Sequence, residues 1–167
     1  LKQVILDLNI QNLGTIPAPL TEDICELLNP IADGTLGSFA NTRATLKVNA
    51  NGIGYPVGQI QVKYRRLELG TLFDGMNKTL SFIGVGQQTV TLEDVLKKLD
   101  AGTAAYLLPL LVDQGPYMLT RDLQYIDLIP KDNSLSLAPD ELRIQAARTA
   151  VGIGTFAVGD NLNPFTT

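Results

Sequence analysis

Histidine and tryptophan are absent from the 167-residue sequence, and Cys25 is its only cysteine. Without histidine the chain lacks the commonest general base and the commonest metal ligand, and Ser-His and Cys-His catalytic pairs are excluded. A single cysteine also excludes an intrachain disulfide and a thiolate metal site. The simplest interpretation of Cys25 is therefore a small residue of the core.

Charge is scarce as well. Charged residues make up 18% of the chain, and 13 basic against 17 acidic residues give a net charge of −4. This balance leaves no basic surface for nucleic acid. No apolar run approaches the roughly 20 residues that span a bilayer, and no signal-peptide pattern precedes the first predicted strand. We expect neither nucleic acid nor membrane as a partner. The apolar share of 45% suffices for a core, and a weakly charged surface suits a subunit packed among neighbours.

Three glycines, Gly52, Gly54 and Gly58, lie in the stretch NANGIGYPVGQIQVKY at residues 49–64. A phosphate-binding loop would have to lead into the N-terminus of a helix. Here the glycines separate two alternating runs, residues 44–50 and 59–64, and no Lys-Ser/Thr pair follows them. The pattern predicts a β-hairpin and no nucleotide site.

The rest of the first half is predicted to hold one strand and one helix. Residues 4–10 alternate between apolar and polar positions, as a strand does. Thr21 has the character of an N-cap for a short helix with Ile24, Leu27 and Leu28 on one face, which Pro30 ends.

The second half is predicted to begin with a strand at residues 78–85 and a helix that Thr91 caps and Gly102 ends. A further helical turn is interrupted near Pro109. A capped turn at Thr120 then leads into a short strand that reaches Ile129. Residues 131–141 are predicted as loop, and residues 142–159 close the segment.

The two halves show matching patterns. The apolar positions of residues 46–50 recur 96 positions later at 142–146, and the acidic helix start at 22–24 recurs 71 positions later at 93–95. The difference, 96 − 71 = 25 residues, is extra material in the second copy. We predict an α+β, β-leaning protein with two small related domains, residues 1–68 and 78–167, joined by a linker at 69–77. Each domain combines a small antiparallel sheet with one or two short helices.

The order of these motifs resembles that of tandem-domain virion structural proteins of large tailed bacteriophages. The resemblance rests on LKVNANGIGYPVGQIQVKYRRLEL, on TLFDGMNKTLSFIGV leading into TLEDVLKKLDAGTAAYLLPLL, and on LTRDLQYIDLIP. The family's G-Y-x-G strand corresponds to Gly54-Tyr55 with Gly58, and its T-x-x-D turn to residues 120–123. The second copy departs from the pattern, because Val151-Gly152 replaces Gly54-Tyr55. The resemblance implies a non-enzymatic part of a phage particle, in the head, neck, tail or baseplate.

The polar residues have simpler explanations than catalysis. The acidic pairs at 22–23 and 93–94 follow a threonine, as residues at the start of a helix often do. The remaining candidate carboxylates lack the sequence spacing of a calcium-binding loop. They are Asp74, Asp127, Asp132 and Asp140. The run Lys63 to Arg66 is the only basic cluster, and its arginines are predicted to pair with acidic groups of a neighbouring subunit. We therefore assign no catalytic, cofactor-binding or metal-ligating residue and expect no cofactor.

From these observations we expect a non-enzymatic virion component whose partners are other virion proteins, such as capsid or tail subunits, and copies of itself. Two domains of about 70 to 85 residues each are marginally stable alone, which favours function inside an assembly. The expected contact residues are Leu80, Phe82, Ile60, Phe156 and the sequence NLNPFTT at 161–167. The alternatives are a cell-surface or carbohydrate-binding β module, although tryptophan for sugar stacking is absent, and a histidine-free enzyme.

Overall fold

The computed structural model describes residues 1–15, 19–49, 58–84 and 88–149. It has an α+β architecture weighted toward strands, as predicted. The helices are α1 (Lys2–Gln11), α2 (Leu69–Leu72) and α3 (Leu92–Leu107), and two 3₁₀ turns lie at Gly34–Leu36 and Leu108–Leu110. The strands are β1 (Cys25–Ala32), β2 (Thr42–Val48), β3 (Gly58–Tyr64), β4 (Thr79–Ile83), β5 (Gln88–Val90), β6 (Tyr117–Leu119), β7 (Gln124–Leu128) and β8 (Leu142–Thr149).

The first sheet is antiparallel with strand order β1-β2-β3. Strands β2 and β3 pair without interruption from Thr42 with Tyr64 to Val48 with Gly58, which confirms the two predicted strands of the hairpin. Gly52 and Gly54 of the predicted turn lie outside the described residues. One face of the sheet is apolar and packs beneath α1, forming a first core cluster whose buried members are Ile5, Ile24, Cys25, Leu27, Ala44, Leu46 and Val62. Cys25 is thus a core residue, as predicted.

The prediction of a strand at residues 4–10 was wrong, because this segment lies in α1. The apolar positions 4, 6, 8 and 10 alternate along the chain, but in a helix they form two pairs four residues apart. Val4 and Leu8 pack with Ile5 toward the first sheet, whereas Leu6 and Ile10 are exposed. Two apolar faces on one helix therefore produced the spacing of a strand.

The predicted helix from Thr21 was also wrong, because residues 25–32 form β1. The Thr21 hydroxyl hydrogen-bonds the Asp23 carboxylate and lowers its pKa, so both residues build a turn that precedes the strand. Pro30 ends no helix. It lies where the register with β2 shifts between Leu28 and Ile31, beside Asn29 at φ 50°. An edge strand accepts proline at such a bulge.

The second sheet has strand order β4-β8-β7. Strand β8 runs parallel to β4 and antiparallel to β7, so this sheet is mixed and the prediction of an antiparallel sheet in the second half was wrong. The predicted strands that begin near residue 78 and end near Ile129 are confirmed as β4 and β7. The short pair β5-β6 lies beside it. Helix α3 packs on the apolar face and buries Val95, Leu96 and Leu107 in the second core cluster.

Helix α3 begins as predicted. The Thr91 side chain accepts from the Asp94 backbone N–H, and the Asp94 carboxylate accepts from the Thr91 N–H, so the two residues form a capping box. The first helical segment ends at Asp100 (φ −156°, ψ 105°), two residues before the predicted end at Gly102. The Asp100 carboxylate accepts from the Gly102 N–H and caps a second segment that runs to Leu107, and the 3₁₀ turn at Leu108–Leu110 follows, which agrees with the predicted further helical turn near Pro109.

Residues 69–77, predicted as a linker, form part of the second core. They include α2, and its Leu69 together with Phe73 is fully buried in the second cluster. The first cluster draws on residues from Ile5 to Val62 and the second on residues from Leu69 to Ala146. The division into domains at 1–68 and 78–167 stays a prediction.

The proposed repeat matched residues 22–24 with residues 93–95 as the starts of two related helices. This match was wrong, because residues 22–24 precede a strand whereas residues 93–95 lie at the start of a helix. The second predicted hairpin requires residues beyond Thr149, which lie outside the described residues. Within the described ranges β8 pairs with β7 and β4.

The two clusters meet at residues 66–68. Leu67 forms a parallel bridge with Leu137, and its backbone exchanges hydrogen bonds with Ser136 and Ala138. Arg66 is only 4% exposed. Its Nε donates to the Thr42 hydroxyl at 2.8 Å and its Nη1 to the Ser134 carbonyl at 3.0 Å. One buried guanidinium therefore ties β2 to the loop that precedes β8.

Replacing this guanidinium tests its role at the junction. We expect Arg66→Met to lower the free energy of unfolding by about 2 kcal/mol, because the buried Thr42 hydroxyl and the partly buried Ser134 carbonyl lose their donors. Arg65→Met is the matched control. Arg65 is half exposed, and its pair with Glu68 spans 3.8 Å, so it should contribute less than about 1 kcal/mol. Guanidinium titrations of the three proteins measure the difference, and equal losses for both variants would contradict the assignment.

The capping box predicts a dependence on pH. Hydrogen bonds from the Thr91 backbone and hydroxyl lower the pKa of Asp94, so its carboxylate stabilises the fold above the unfolded pKa of about 3.9. This contribution is lost as the pH falls through the lower folded value. We expect Asp94→Asn to be less stable than the wild type by about 1 kcal/mol at pH 6 and equally stable near pH 2. Asp132→Asn, in an exposed loop, controls for the charge change, and a constant difference across the range would refute the prediction.

Candidate interaction surface

Helix α1 has a second apolar face that no described residue covers. Its exposed positions are Leu6 at 49%, Ile10 at 57% and, just beyond the helix end, Leu13 at 78%. Their spacing of four and three residues places them on one side of a helix. The opposite side, with Leu1, Val4, Ile5 and Leu8, packs on the first core. Helices on a protein surface usually expose a polar face, so α1 is a candidate interaction element.

The helix is attached by a few specific contacts. Asn9 donates from its side-chain amide to the Leu20 carbonyl at 2.9 Å and accepts from the Leu20 N–H at 2.7 Å. Ile5 is its only fully buried residue. The Asn9 pair fixes the rotation of α1 and so determines which side chains face outward.

A groove runs along the edge of the first sheet between α1 and β3. It has a volume of about 320 Å³ and is lined by Val4, Asp7, Leu8 and Gln11 from the helix and by residues 61–64 from the strand. Its lining combines apolar side chains with the amides and charges of both elements. We call this cleft the α1–β3 groove.

A second groove of about 430 Å³ continues from the first and shares Val4 and Tyr64 with it. It passes residues 65–68 and reaches Tyr106 and Leu135 of the second half. Tyr64 lines both grooves. Its hydroxyl is buried without a hydrogen-bond partner in the described residues, and burial raises its pKa.

The basic run beside these grooves differs from its prediction. Arg66 was expected to pair with an acid of a neighbouring subunit, but it is buried and donates to uncharged oxygens of its own chain. Burial lowers its pKa. Arg65 donates to the Ser38 carbonyl and lies near Glu68. Lys63 is exposed and forms no ion pair within the described ranges.

The other predicted contact residues separate into three groups. Leu80 and Phe82 are 5% and 9% exposed and belong to the second core, so their assignment to an interface was wrong. Ile60 is exposed at 50% on β3 beside the α1–β3 groove. Phe156 and residues 161–167 lie outside the described residues. The α1 face was missed by sequence reasoning, although the spacing of Leu6, Ile10 and Leu13 contains its signal.

The candidate carboxylates serve the fold. Arg143 holds Asp127 through two hydrogen bonds of 2.7 and 3.0 Å and lowers its pKa. Asp74 accepts from the Gly75 N–H, and Asp140 accepts from the Gly70 N–H. The described residues contain no cluster of three or more acidic or thiol side chains that could bind a metal ion.

Comparisons with known proteins place the chain in a family without an assigned role. None of its helices in the described ranges is long and apolar enough to cross a membrane. No curated protein and no solved structure matches the chain. The model of a family of unknown function (DUF7941) matches residues 1–101. This range includes α1, all three strands of the first sheet and the start of α3. Since this match spans more than half of the 167 residues, the chain belongs to the DUF7941 family.

Proposed function

We propose that the chain is a non-enzymatic structural component of a tailed-phage particle that acts through contacts with other virion proteins and with copies of itself. The phage setting comes from the sequence resemblance. The contact role is supported most directly by the outer face of α1, where Leu6, Ile10 and Leu13 are between 49% and 78% exposed. Contiguous exposed apolar residues commonly mark protein–protein contacts.

The polar groups support a role without chemistry of its own. The strongest ion pairs and capping contacts, Asp33 with Arg43, Asp127 with Arg143, and Asp94 with Thr91, hold strands and a helix start. Because hydrogen bonds engage these carboxylates, they are poorly placed for proton transfer to a substrate. The chain also contains no histidine.

A variant of the α1 face tests this function in the particle. We expect the wild-type chain to be found in purified virions, and Leu6→Gln/Ile10→Gln to reduce its incorporation about thirtyfold, since two lost apolar contacts at about 1 kcal/mol each cost about 2 kcal/mol. Glutamine favours helix, so α1 should persist. Quantitative mass spectrometry of particles made with each variant measures the effect.

Leu123→Gln is the matched control, because Leu123 is 55% exposed and distant in sequence from α1. Its incorporation should equal that of the wild type. A wild-type chain absent from purified particles would refute the proposed function, and normal incorporation of the α1 variant would refute the role of this face.

A further inference from the structure

Phe39 is the most exposed large apolar residue in the described part of the chain, with an exposed fraction of 93%. It lies in the loop that joins β1 to β2. The backbone on both sides of it is held in place, because the Ser38 carbonyl accepts from Nη1 of Arg65 and the Asn41 side chain accepts from the Arg66 N–H, both at 2.7 Å. The loop therefore presents the ring to solvent in a defined position, as an aromatic contact residue of a protein interface is presented.

A pocket of about 370 Å³ opens beside the same loop, and we call it the loop pocket. Three apolar residues and three carboxylates contribute to its lining, namely Ala32, Ala138, Pro139, Asp33, Glu68 and Asp140. A cavity of about 150 Å³ is enough to bind a benzene molecule. The loop pocket therefore has room for one phenyl side chain.

The charges beside the ring and around the pocket have opposite signs. Arg65 lies next to the ring through its hydrogen bond to Ser38, and its side chain is 52% exposed. Its interaction with Glu68 of its own chain spans 3.8 Å, which leaves N–H donors for another partner. Asp140 forms no ion pair within the described ranges, so the lining keeps an uncompensated negative charge. The surface around Phe39 is thus complementary in charge to the loop pocket.

The ring and the pocket belong to one patch of the surface. Gly34 and Asn41 also line the pocket, and Phe39 lies between them in the same loop. A patch with both an apolar projection and a pocket is complementary to a second copy of itself, because a two-fold axis brings each ring to the other pocket. A different protein would have to supply both features in matching positions. These observations favour a second copy as the partner.

We propose that two copies associate around a two-fold axis, with Phe39 of each copy in the loop pocket of the other and Arg65 facing the carboxylates that line it. This inference rests on the proposed function, because it identifies a contact by which copies associate. The contact closes at the dimer. It uses none of the exposed apolar residues of α1.

Removing the ring and obstructing the pocket test this contact in the full-length chain. Sedimentation velocity should show a monomer–dimer equilibrium for the wild type. Phe39→Ser removes both rings from the dimer. Gly34→Tyr adds a side chain to the lining of both pockets, and a Cβ at this position meets no atom within 4 Å. Each variant should raise the dissociation constant about a hundredfold, at about tenfold for each ring that loses its pocket.

A mixture of the two variants distinguishes an exchange of rings from other contacts. The Phe39→Ser copy keeps its pocket and the Gly34→Tyr copy keeps its ring, so a mixed dimer retains one of the two contacts. Its dissociation constant should lie about tenfold above that of the wild type and about tenfold below those of the single variants. Sedimentation of a fluorescently labelled variant in an excess of the other measures it.

Ile83→Ser and Gly58→Tyr are the matched controls for the lost apolar side chain and the added ring. Ile83 is 70% exposed on β4, and Gly58 lies at the end of β3 that is remote from the loop, where an added Cβ also meets no atom within 4 Å. Both controls should associate like the wild type. Melting curves of all four variants, recorded where the protein is monomeric, should coincide with that of the wild type because each changed residue is exposed.

A wild-type chain that stays monomeric at every concentration would overturn the inference, as would Phe39→Ser or Gly34→Tyr dimerising normally, or a mixture no stronger than the single variants. A monomeric wild type whose Phe39→Ser variant is lost from particles would also overturn it and assign the loop to another virion protein. A chain present in virions yet monomeric in solution would refute this contact alone, whereas a dimeric chain absent from virions would refute the proposed function alone.

Discussion

The buried guanidinium of Arg66 is the interaction on which the arrangement of the two halves depends. It binds β2 through Thr42 and the loop before β8 through Ser134, and the neighbouring Leu67 joins the same loop by backbone hydrogen bonds. The second groove is lined by Leu1 and Val4 beside the first half and by Tyr106 and Leu135 of the second, and Arg66 and Leu67 lie between them in its wall. The buried cation and its neutral oxygens therefore help to hold the two sides of this groove together.

The outer strands of the two sheets differ in how they are protected from pairing with a further strand. Pro30 and the adjacent bulge disrupt β1 as a template for pairing, and Gln114 covers a carbonyl of β7. These are common means by which proteins avoid unwanted strand addition. Within the described residues β3 has neither feature; the exposed Lys63 is its one charged side chain, and the neighbouring α1 adds an apolar wall.

Sequence patterns correctly predicted those elements in which the preferences of the residues agree with the packing of the folded chain. Strands β2, β3, β4 and β7 show clear alternation, and Thr91 with Asp94 marks the start of α3 by side-chain chemistry alone. The predictions were wrong where the same apolar positions fit both the periodicity of a helix and that of a strand. The apolar positions of α1 fit a strand as well as a two-faced helix, and β1 takes its conformation from pairing with β2. Leu80 and Phe82 were misplaced because the alternation of β4 defines two faces without indicating which one α3 covers.

The same ambiguity explains why the candidate surface was hard to identify in advance. A sequence shows that Leu6 and Ile10 are apolar, but not that they face outward. Their orientation follows from the packing of Ile5 on the first core together with the Asn9 pair with Leu20. Charged residues, in contrast, are largely used to fix strands and turns, as Asp127 with Arg143 and Asp33 with Arg43 illustrate. With few charges in the sequence and several of them committed to the fold, the exposed apolar face of α1 is the most distinctive surface feature in the described part of the chain.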